Sequence, residues 1–496
     1  MAQVIASLYA TSRDQVLRQA AKAAMAGADW LELRLDRWPA GLELAPTLAA
    51  VALPVLVACR TPEDGGHFRG TLGERRQLLN EALDAGAQGI DLDGHDGWLP
   101  TGRPRLRLRI RSFHSWTGVP KELAAIRDRL GGPGTVVKLA VTAHDLADAA
   151  PVLELLANTD QRVQPTVAFA MGRSAWPTRL LAAVAGAPFV YGCIDEAEAT
   201  APGQVPVARL CGLFRAATLS PATAVFGVIG NPALGSLGPW LHNRVFRQLG
   251  LDAIYLPFET SRPESVIAML QRLRLRGLSI TAPFKAALAA ACNHLGEAAA
   301  ATGVVNTITF APHGLAEGHN TDVEGVRLAL AKAGVARGDG RPAAVLGTGG
   351  AGRAGALVLQ RLGFRVTMLG RSLDAVRDFA TTHGLQLASL SERVLDELAP
   401  AVVVQATPVG MAGRTGESTL LPGYRWRPGT VAFDMVYQPY WTPFLQQAAA
   451  AGATVVPGVA MFLGQAAAQV RCFTGHEVAP AALRHHLAGT AAALLG

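Results

Sequence analysis

Short hydrophobic runs alternate with longer segments rich in Ala and Leu through the first 217 residues of the chain. Runs separated by helical segments in this way predict βα units and a parallel sheet. Eight such runs follow one another, and eight successive units predict a closed (β/α)8 barrel, near the lower end of the size range of that fold. The runs lie at residues 4–8, 30–35, 55–58, 89–92, 106–110, 135–140, 166–170 and 189–191.

Polar residues recur at or just after the ends of these runs. In a parallel barrel the carboxyl ends of the strands converge on one face, where active sites lie. Strand ends often turn polar for purely structural reasons, but the recurrence of Arg, His and Lys favours a site. The series comprises Glu32, Arg34, Arg60, Asp91, His114, Lys138, residues 171–172 and residues 200–204.

A second α/β pattern begins at residues 224–229, after a predicted linker at 216–223, and the chain ends in an Ala-rich helical tail at 460–495. Within it, an apolar strand runs into GTGGAG at 347–352 and then a predicted helix. Glycines in this context allow a tight turn and bring backbone N–H groups close to a pyrophosphate. Arg371 follows the next strand, where NAD sites place an acidic residue, so we expect a 2′-phosphate and hence NADP(H).

Composition narrows the function further. Half of the residues are hydrophobic and 17% are charged, which excludes a disordered chain or a coiled coil. The net charge of +7 is scattered, which favours small anionic substrates over nucleic acid or a membrane surface. The five cysteines show no metal-binding spacing, and we find no leader or membrane-spanning segment. We therefore expect no metal site and a cytoplasmic protein.

Only five of the 45 cationic side chains are lysines, so each lysine invites a specific explanation. Lys138 lies in the apolar run TVVKLAV, where desolvation lowers the pKa of an amine and favours Schiff-base formation with a ketone. His114, one predicted strand earlier, would face the same cavity as a proton shuttle. Lys285 and Asp322 could supply a proton while a nicotinamide delivers hydride. A lysine with its charge at the surface, a structural histidine and a structural ion pair are the alternative interpretations.

The first half resembles type I 3-dehydroquinate dehydratase. The matching motifs include ELRLD at 32–36, CRTPEDGG at 59–66, SFH at 112–114, VKLA at 137–140, MGRSAWPTR at 171–179 and TAPGQ at 200–204. The resemblance implies that Lys138 forms an imine with the substrate, that His114 moves the proton, and that Asp64 orients His114. It implies that Arg179 binds the substrate carboxylate. Hydroxyl binding and ring positioning would fall to Ser7, Glu32, Arg34, Arg60, Thr200 and Gln204.

The second half resembles shikimate dehydrogenase. The motifs are GNPALGSLGPWLHN at 230–243, ITAPFK at 280–285, VVNT at 304–307, HNTD at 319–322, GTGGAG at 347–352, QATPVGM at 405–411, DMVYQPYWTPF at 434–444 and PGVAMFLGQ at 457–465. The resemblance assigns acid–base work to Lys285 and Asp322. It implies substrate binding by Ser236, Thr281, Asn306, Tyr437 and Gln465. It implies cofactor contacts by Gly347, Thr348, Gly349, Gly350, Ala351, Gly352, Arg371, Thr407, Met435, Gly458 and, more weakly, Glu297.

Three departures from these families bear on activity. The dehydratase family usually has Glu where this chain has Asp64, which lengthens the reach to His114. The dehydrogenase family usually has a second Ser at Gly238 and an Asn at Ser279. Each lost contact is worth about 1–3 kcal/mol and can shift substrate specificity.

We therefore predict an α/β protein with an N-terminal (β/α)8 barrel at 1–217, a substrate domain at 222–326, a Rossmann NADP-binding domain at 327–456 and C-terminal helices at 457–496. The predicted enzyme dehydrates 3-dehydroquinate to 3-dehydroshikimate and reduces that product to shikimate with NADPH. Two alternatives stay open: quinate or a related hydroxy acid as dehydrogenase substrate, and a non-catalytic regulator that binds these metabolites. The sequence leaves the oligomeric state undetermined.

Overall fold

The structure is a computed structural model that describes residues 1–9, 11–39, 41–311, 314–412 and 419–487. The chain divides into two compact units. Unit one comprises Met1–Ser236 and Phe246–Leu275, and unit two comprises Leu237–Val245 and Arg276–Gly496.

Unit one contains the predicted barrel. Its eight strands form parallel ladders in the order β7-β6-β5-β4-β3-β2-β1-β8, a nearly closed barrel whose end strands are β7 and β8. The strands are β1 (Gln3–Tyr9), β2 (Trp30–Arg34), β3 (Val55–Ala58), β4 (Gly89–Asp93), β5 (Leu108–Ser115), β6 (Val136–Thr142), β7 (Thr166–Met171) and β8 (Phe189–Cys193). Buried residues fill most strand positions, as a parallel sheet covered by helices requires.

Among the described residues of this barrel, seven α-helices accompany the strands. Side chains cap the backbone N–H groups at the start of two of these helices. The Ser12 side chain accepts a hydrogen bond from the Gln15 amide at the first helix, and Thr71 and Glu74 form a capping box at the third. The helices are α1 (Arg13–Met25), α2 (Leu44–Ala49), α3 (Leu72–Asp84), α4 (Leu123–Leu130), α5 (Ala150–Ala157), α6 (Thr178–Val184) and α7 (Val207–Gly212).

The fifth strand differs from its predicted position. The run at 106–110 predicted a strand that ends before His114, but β5 continues to Ser115. Leu106 and Arg107 belong to the preceding turn, where Leu106 donates a backbone hydrogen bond to Arg103. The register pairs Ser112 with Lys138 of β6, so the two candidate catalytic side chains are held by adjacent rigid strands.

Unit one also includes the parallel pair β9 (Ala224–Gly230) and β10 (Ala253–Glu259), followed by α9 (Pro263–Gln271). Helix α8 (Gly238–Gln248) separates the two strands in the sequence, and its residues up to Val245 belong to unit two. Hydrogen bonds tie this segment to the barrel. Asp145 accepts hydrogen bonds from the Thr260 hydroxyl (2.5 Å) and the Ser261 amide (2.7 Å). Although burial opposes the charged form, these bonds hold the pKa of Asp145 at about 2.

Unit two begins with strands in the order β11-β13-β14-β12, among which β13 is antiparallel to both of its neighbours. These strands carry the loops of the second candidate site. Their bounds, with those of the intervening helices, are β11 (Leu275–Ile280), α10 (Ala287–Ala290), β12 (His294–Leu295), α11 (Glu297–Thr302), β13 (Thr307–Phe310) and β14 (Ala316–His319).

A wholly parallel sheet in the order β17-β16-β15-β18-β19-β20 completes unit two and confirms the predicted Rossmann-like fold. Hydrophobic clusters that include Leu357 and Leu445 pack on its strands. The strands are β15 (Pro342–Leu346), β16 (Arg365–Gly370), β17 (Gln386–Ser389), β18 (Val402–Gln405), β19 (Val431–Asp434) and β20 (Thr454–Val456). The helices are α12 (Asp322–Lys332), α13 (Gly350–Arg361), α14 (Arg377–His383), α15 (Glu392–Leu398), α16 (Pro443–Ala450), α17 (Gly458–Thr474) and α18 (Pro480–Leu483).

The predicted linker at 216–223 contains one short 3-10 turn, Ala216–Thr218. The predicted helical tail is α17 and α18, and residues 488–496 lie outside the described residues. Within the described ranges, each helix is too short or too polar to cross a membrane.

Candidate active sites

A cavity opens at the carboxyl ends of the barrel strands. All ten residues predicted for the first site line it, so the polar strand ends do converge as expected. They are Ser7, Glu32, Arg34, Arg60, Asp64, His114, Lys138, Arg179, Thr200 and Gln204.

Lys138 lines the cavity, and its side chain is 6% exposed. Its Nζ donates a hydrogen bond to Asp91 Oδ2 (2.9 Å) and lies 3.5 Å from Glu32 Oε1. The sequence predicted an ammonium surrounded by apolar residues. The structure instead provides two buried carboxylates, because an uncompensated charge at this depth would be strongly destabilising.

Arg60 forms hydrogen bonds to two buried carboxylates, those of Asp91 and Asp93. Its guanidinium contacts Asp91 Oδ2 (2.5 Å), Asp93 Oδ1 (2.6 Å) and the Ser112 hydroxyl (3.0 Å). Although burial opposes the charged form, Arg60, Lys138 and the Ser112 hydrogen bond lower the pKa of Asp91. Arg60 therefore positions the groups around the amine, which adds a structural role to the ring-binding role that the resemblance implied.

His114 lies beside Arg60. Its Nδ1 is 3.3 Å from Arg60 Nη1, and its ring stacks on Trp116 with 6.4 Å between centroids. Burial, followed by the positive charges of Arg60 and Lys138, lowers the pKa of His114 well below 6.5. The imidazole is consequently neutral near pH 7, the form that a general base requires.

Asp64 approaches His114 without bonding to it. The oxygen atoms of Asp64 and Asp93 and a ring nitrogen of His114 lie within 4.8 Å of one another, yet in the part of the chain described here no hydrogen bond joins Asp64 to His114. The guanidinium of Arg60 contacts both Asp93 and His114, so a cation already links this group. Burial, with the charges of Asp64 and Asp91, raises the pKa of Asp93 to about 7.

Arg179 is a buried cation without an acidic partner. Its guanidinium donates to the carbonyl oxygens of Gly203 and Pro202, each at 3.1 Å, and no carboxylate of the described residues lies within 4.0 Å. Burial lowers the pKa of Arg179 to about 10. Such a group is available to bind an anionic substrate.

The other predicted residues of the cavity are held in place by hydrogen bonds to neighbouring groups. Ser7 donates to Glu32, Arg34 forms a bidentate pair with Asp36, and the Thr200 amide donates to Gln204 Oε1 (2.8 Å). Side chains that the sequence did not predict for the site also line the cavity: Trp116, Phe169 and Tyr191. For Tyr191 a signal existed, because it is an aromatic residue with a polar tip inside a predicted barrel strand.

The second candidate site forms around Lys285 in unit two. Its Nζ donates to Asp322 Oδ2 (2.5 Å), while Asn306 Nδ2 donates to Asp322 Oδ1 (2.8 Å) and to the Thr321 hydroxyl (2.9 Å). Asn306 therefore orients the carboxylate that faces the amine. The Thr321 hydroxyl also lies 3.4 Å from Gln465 Oε1, which brings a residue of α17 to the same group.

The remaining predicted substrate residues are Tyr437, Thr281 and Ser236. Tyr437 packs against Phe462 with 4.7 Å between ring centroids, and burial raises the pKa of Tyr437 to about 12. Thr281 follows β11 and is half-buried. Ser236 belongs to unit one, at the turn before α8, whereas Lys285 belongs to unit two. That Ser236 binds the same substrate as Lys285 therefore stays a prediction.

The glycine-rich turn has the geometry that the motif predicted. Gly347 has a φ of +116°, and a Cβ on Gly352 would lie 2.1 Å from the Gly347 carbonyl oxygen. Space beside Gly349, at the start of α13, is open. A Cβ on Gly350 would lie 3.0 Å from Lys285 Cδ, so the amino-terminal end of α13 adjoins the candidate catalytic lysine.

Other predicted cofactor residues surround the turn. Thr407 lies against Gly347, Gly458 adjoins the Met435 carbonyl, and Thr348 donates to the Ser372 carbonyl (3.2 Å). Arg371 is exposed directly after β16. Glu297 lies elsewhere: it pairs with Arg361 (2.7 Å), the last residue of α13 and thus the end opposite the glycine turn.

Comparisons with known proteins match both halves of the chain. The type I 3-dehydroquinase family model matches residues 4–220, and the shikimate dehydrogenase substrate binding domain matches residues 228–308. A bifunctional 3-dehydroquinate dehydratase/shikimate dehydrogenase of Arabidopsis thaliana is 29% identical over 95% of this chain and 82% of its own length. Shikimate dehydrogenases (NADP(+)) of Halobacterium salinarum and Syntrophobacter fumaroxidans are 38% and 36% identical, each over 52% of this chain and 97% and 89% of their own lengths.

Proposed function

Because the chain belongs to the type I 3-dehydroquinase family in its first half and to the shikimate dehydrogenase family in its second, we propose that it is a bifunctional enzyme with lyase and oxidoreductase activities. The barrel dehydrates 3-dehydroquinate to 3-dehydroshikimate, and the second half reduces that product to shikimate. One observation carries this proposal: Lys138, neutral His114 and Arg179, which has no acidic partner among the described residues, line one cavity.

The barrel supports Schiff-base chemistry. Lys138 attacks the substrate ketone, and the resulting imine acidifies the neighbouring C–H bond because the carbanion is delocalised as an enamine. Neutral His114 accepts the proton and later donates a proton to the departing hydroxyl, which leaves as water. Arg179 supplies the positive charge for the substrate carboxylate, and Glu32 and Asp91 keep Lys138 in place.

In the second half, Lys285 and Asp322 hold a proton beside the position of the reacting carbonyl. The Lys285 ammonium, oriented by its bond to Asp322, donates a proton to the oxygen that gains charge during reduction. Asn306 fixes Asp322, and Tyr437 and Gln465 are proposed to bind the substrate ring and carboxylate. The Asp322 carboxylate allows the pair to regain a proton from solvent.

The residues around the glycine turn fit a dinucleotide cofactor. The open space at Gly349 and the free N–H groups at the start of the twelve-residue helix α13 can accept a pyrophosphate. When bound, a reduced nicotinamide cofactor supplies the hydride. Arg371 and Ser372 follow β16, where they can bind a 2′-phosphate, so we propose NADPH over NADH.

A second candidate substrate rests on the substitutions Gly238 and Ser279. Both remove hydrogen-bonding reach that shikimate dehydrogenases usually have, so quinate or a related hydroxy acid is the alternative substrate. Comparison of kcat/KM for shikimate and quinate decides between them. The metabolite-binding regulator without turnover is less favoured, since Lys138, His114, Lys285 and Asp322 all occupy positions in which they can react.

A coupled assay tests the main proposal. The chain incubated with 3-dehydroquinate and NADPH should oxidise NADPH, and Lys138→Met and Lys285→Met should each abolish this. A mixture of the two variants should restore oxidation, because each supplies the half that the other lacks. If Lys138→Met still oxidised NADPH from 3-dehydroquinate at the original rate, the barrel assignment would be wrong.

We also propose the division into domains at 1–217, 222–326, 327–456 and 457–496, with small anionic substrates as binding partners. Cytoplasmic localisation is proposed from the five cysteines, all of which are free thiols. Limited proteolysis at 218–221 followed by separate activity assays tests the first boundary.

A further inference from the structure

Tyr191 carries a polar atom that the barrel leaves without a partner. The residue lies on β8, its side chain is buried, and its hydroxyl forms no hydrogen bond to any described residue. It also lines the cavity that contains Lys138. Neither the motifs nor the mechanism above uses it.

The surroundings place Tyr191 next to the reacting amine. Lys138 Nζ lies 4.1 Å from the centre of the Tyr191 ring, in cation–π contact. The Tyr191 ring is also 6.3 Å from the Phe169 ring, and the Arg179 guanidinium lies 4.1 Å from the centre of the Phe169 ring. The hydroxyl is attached to the ring that Lys138 Nζ contacts, and both residues line the same cavity.

A buried hydroxyl without a partner is unfavourable, because it has lost water and gained nothing in exchange. A phenylalanine would give the same cation–π contact and the same packing without this penalty. The hydroxyl is therefore explained best by a state in which a bound molecule completes its hydrogen bonding. The cavity is where such a molecule binds.

We infer that the Tyr191 hydroxyl donates a hydrogen bond to the substrate oxygen on the carbon that Lys138 attacks. This inference rests on the proposed dehydratase activity. When the new C–N bond forms, the C=O π electrons move to the oxygen; the C–O bond then breaks and water leaves. Two of the three ammonium protons of Lys138 depart with that water and the third stays on the iminium nitrogen, so atoms and charge balance and Tyr191 is not consumed.

The electrostatic environment keeps the donor protonated. Burial, followed by the negative charges of Asp91 and Glu32, raises the pKa of Tyr191 well above 10. The hydroxyl can therefore donate at any pH at which the protein is assayed.

Tyr191→Phe tests the inference, with Tyr424→Phe as the matched control. The Tyr424 hydroxyl is also buried without a partner among the described residues, but it lies in a hydrophobic cluster on the Rossmann-like sheet, remote in sequence from every catalytic residue. We expect Tyr191→Phe to lower dehydratase kcat/KM about tenfold, the value of one hydrogen bond, and Tyr424→Phe to leave it unchanged. Melting temperatures of both variants should equal or exceed that of the original protein.

Two further readouts separate the outcomes. In single-turnover trapping with borohydride and 3-dehydroquinate, Tyr191→Phe should slow labelling of Lys138; an unchanged trapping rate would overturn the assignment to this oxygen. Equal kcat/KM for Tyr191→Phe and the original protein, or a loss of stability with a parallel loss of dehydrogenase activity, would also overturn it. If the original protein itself failed to dehydrate 3-dehydroquinate, the proposed function would fail instead.

Discussion

Asp64→Glu is expected to increase the dehydratase activity. Asp64 and His114 have their polar atoms within 4.8 Å of each other but share no hydrogen bond in the described structure. Related dehydratases usually carry Glu at this position. One additional methylene, about 1.5 Å of extra reach, would bring the carboxylate to hydrogen-bond distance from the ring.

The expected gain follows from that distance. During proton transfer His114 becomes a cation. Its attraction to a carboxylate at effective ε = 20 is roughly 3.5 kcal/mol at 4.8 Å, the upper limit of their separation, and roughly 5 kcal/mol at about 3.3 Å, the separation that the extra methylene would leave. The difference of about 1.5 kcal/mol is an upper bound, because Asp64 is half-buried and solvent screens it. A remaining gain of about 1 kcal/mol corresponds to a roughly fivefold increase in dehydratase kcat.

Steady-state formation of 3-dehydroshikimate as a function of pH provides the assay. Burial and the cations around His114 keep the pKa of His114 well below 6.5, so activity should fall only on the acidic side of that value, as the base becomes protonated. A nearer carboxylate favours the imidazolium, so Asp64→Glu should move this acidic limb to higher pH. Asp64→Asn, which removes the charge, should move it to lower pH and reduce kcat. A slower Asp64→Glu variant whose acidic limb does not move would contradict this role of Asp64.

Three further substitutions probe the remaining binding and proton-transfer groups. Arg179→Met should raise KM for 3-dehydroquinate about 10- to 100-fold, because a charge-assisted contact with the substrate is lost. Circular dichroism melting should show little change, because the buried cation that is removed has no acidic partner among the described residues; a large loss of stability would contradict this. Asp322→Asn should lower the dehydrogenase kcat, measured by NADPH oxidation, by about 10²–10⁴-fold and leave dehydratase turnover intact. A normal dehydrogenase kcat would rule out a role of Asp322 in proton transfer. Arg371→Ala should raise KM for NADPH at least about tenfold without affecting NADH, and equal effects on both cofactors would exclude a 2′-phosphate contact.

The barrel was largely predictable because its signals are local and repeated. Each strand of a parallel barrel is buried on both faces, so it leaves a continuous hydrophobic run with a polar end. The same regularity explains why Lys138 and His114 could be assigned to one cavity. The strand that carries His114 was predicted too far toward the amino terminus, since Arg111 and Ser112 interrupt the apolar pattern although they lie inside β5.

Electrostatic partners were harder to predict, because they depend on side chains from distant strands. Nothing local to TVVKLAV indicates that Asp91 and Glu32 would neutralise Lys138. Likewise, the position of Glu297 at the far end of α13 follows from how α11 packs, which its own sequence does not encode. The glycine turn, by contrast, could be predicted, because the positive φ of Gly347 and the lack of room for a side chain at Gly352 depend on local backbone geometry.

Borohydride reduction in the presence of 3-dehydroquinate, followed by peptide mass mapping, is the decisive test of Schiff-base chemistry at Lys138. We expect a single substrate-derived mass increment, on the peptide that contains Lys138, and no increment in Lys138→Met. Modification of another lysine, such as Lys121 or Lys22, or an unmodified protein that still dehydrates the substrate, would contradict this expectation.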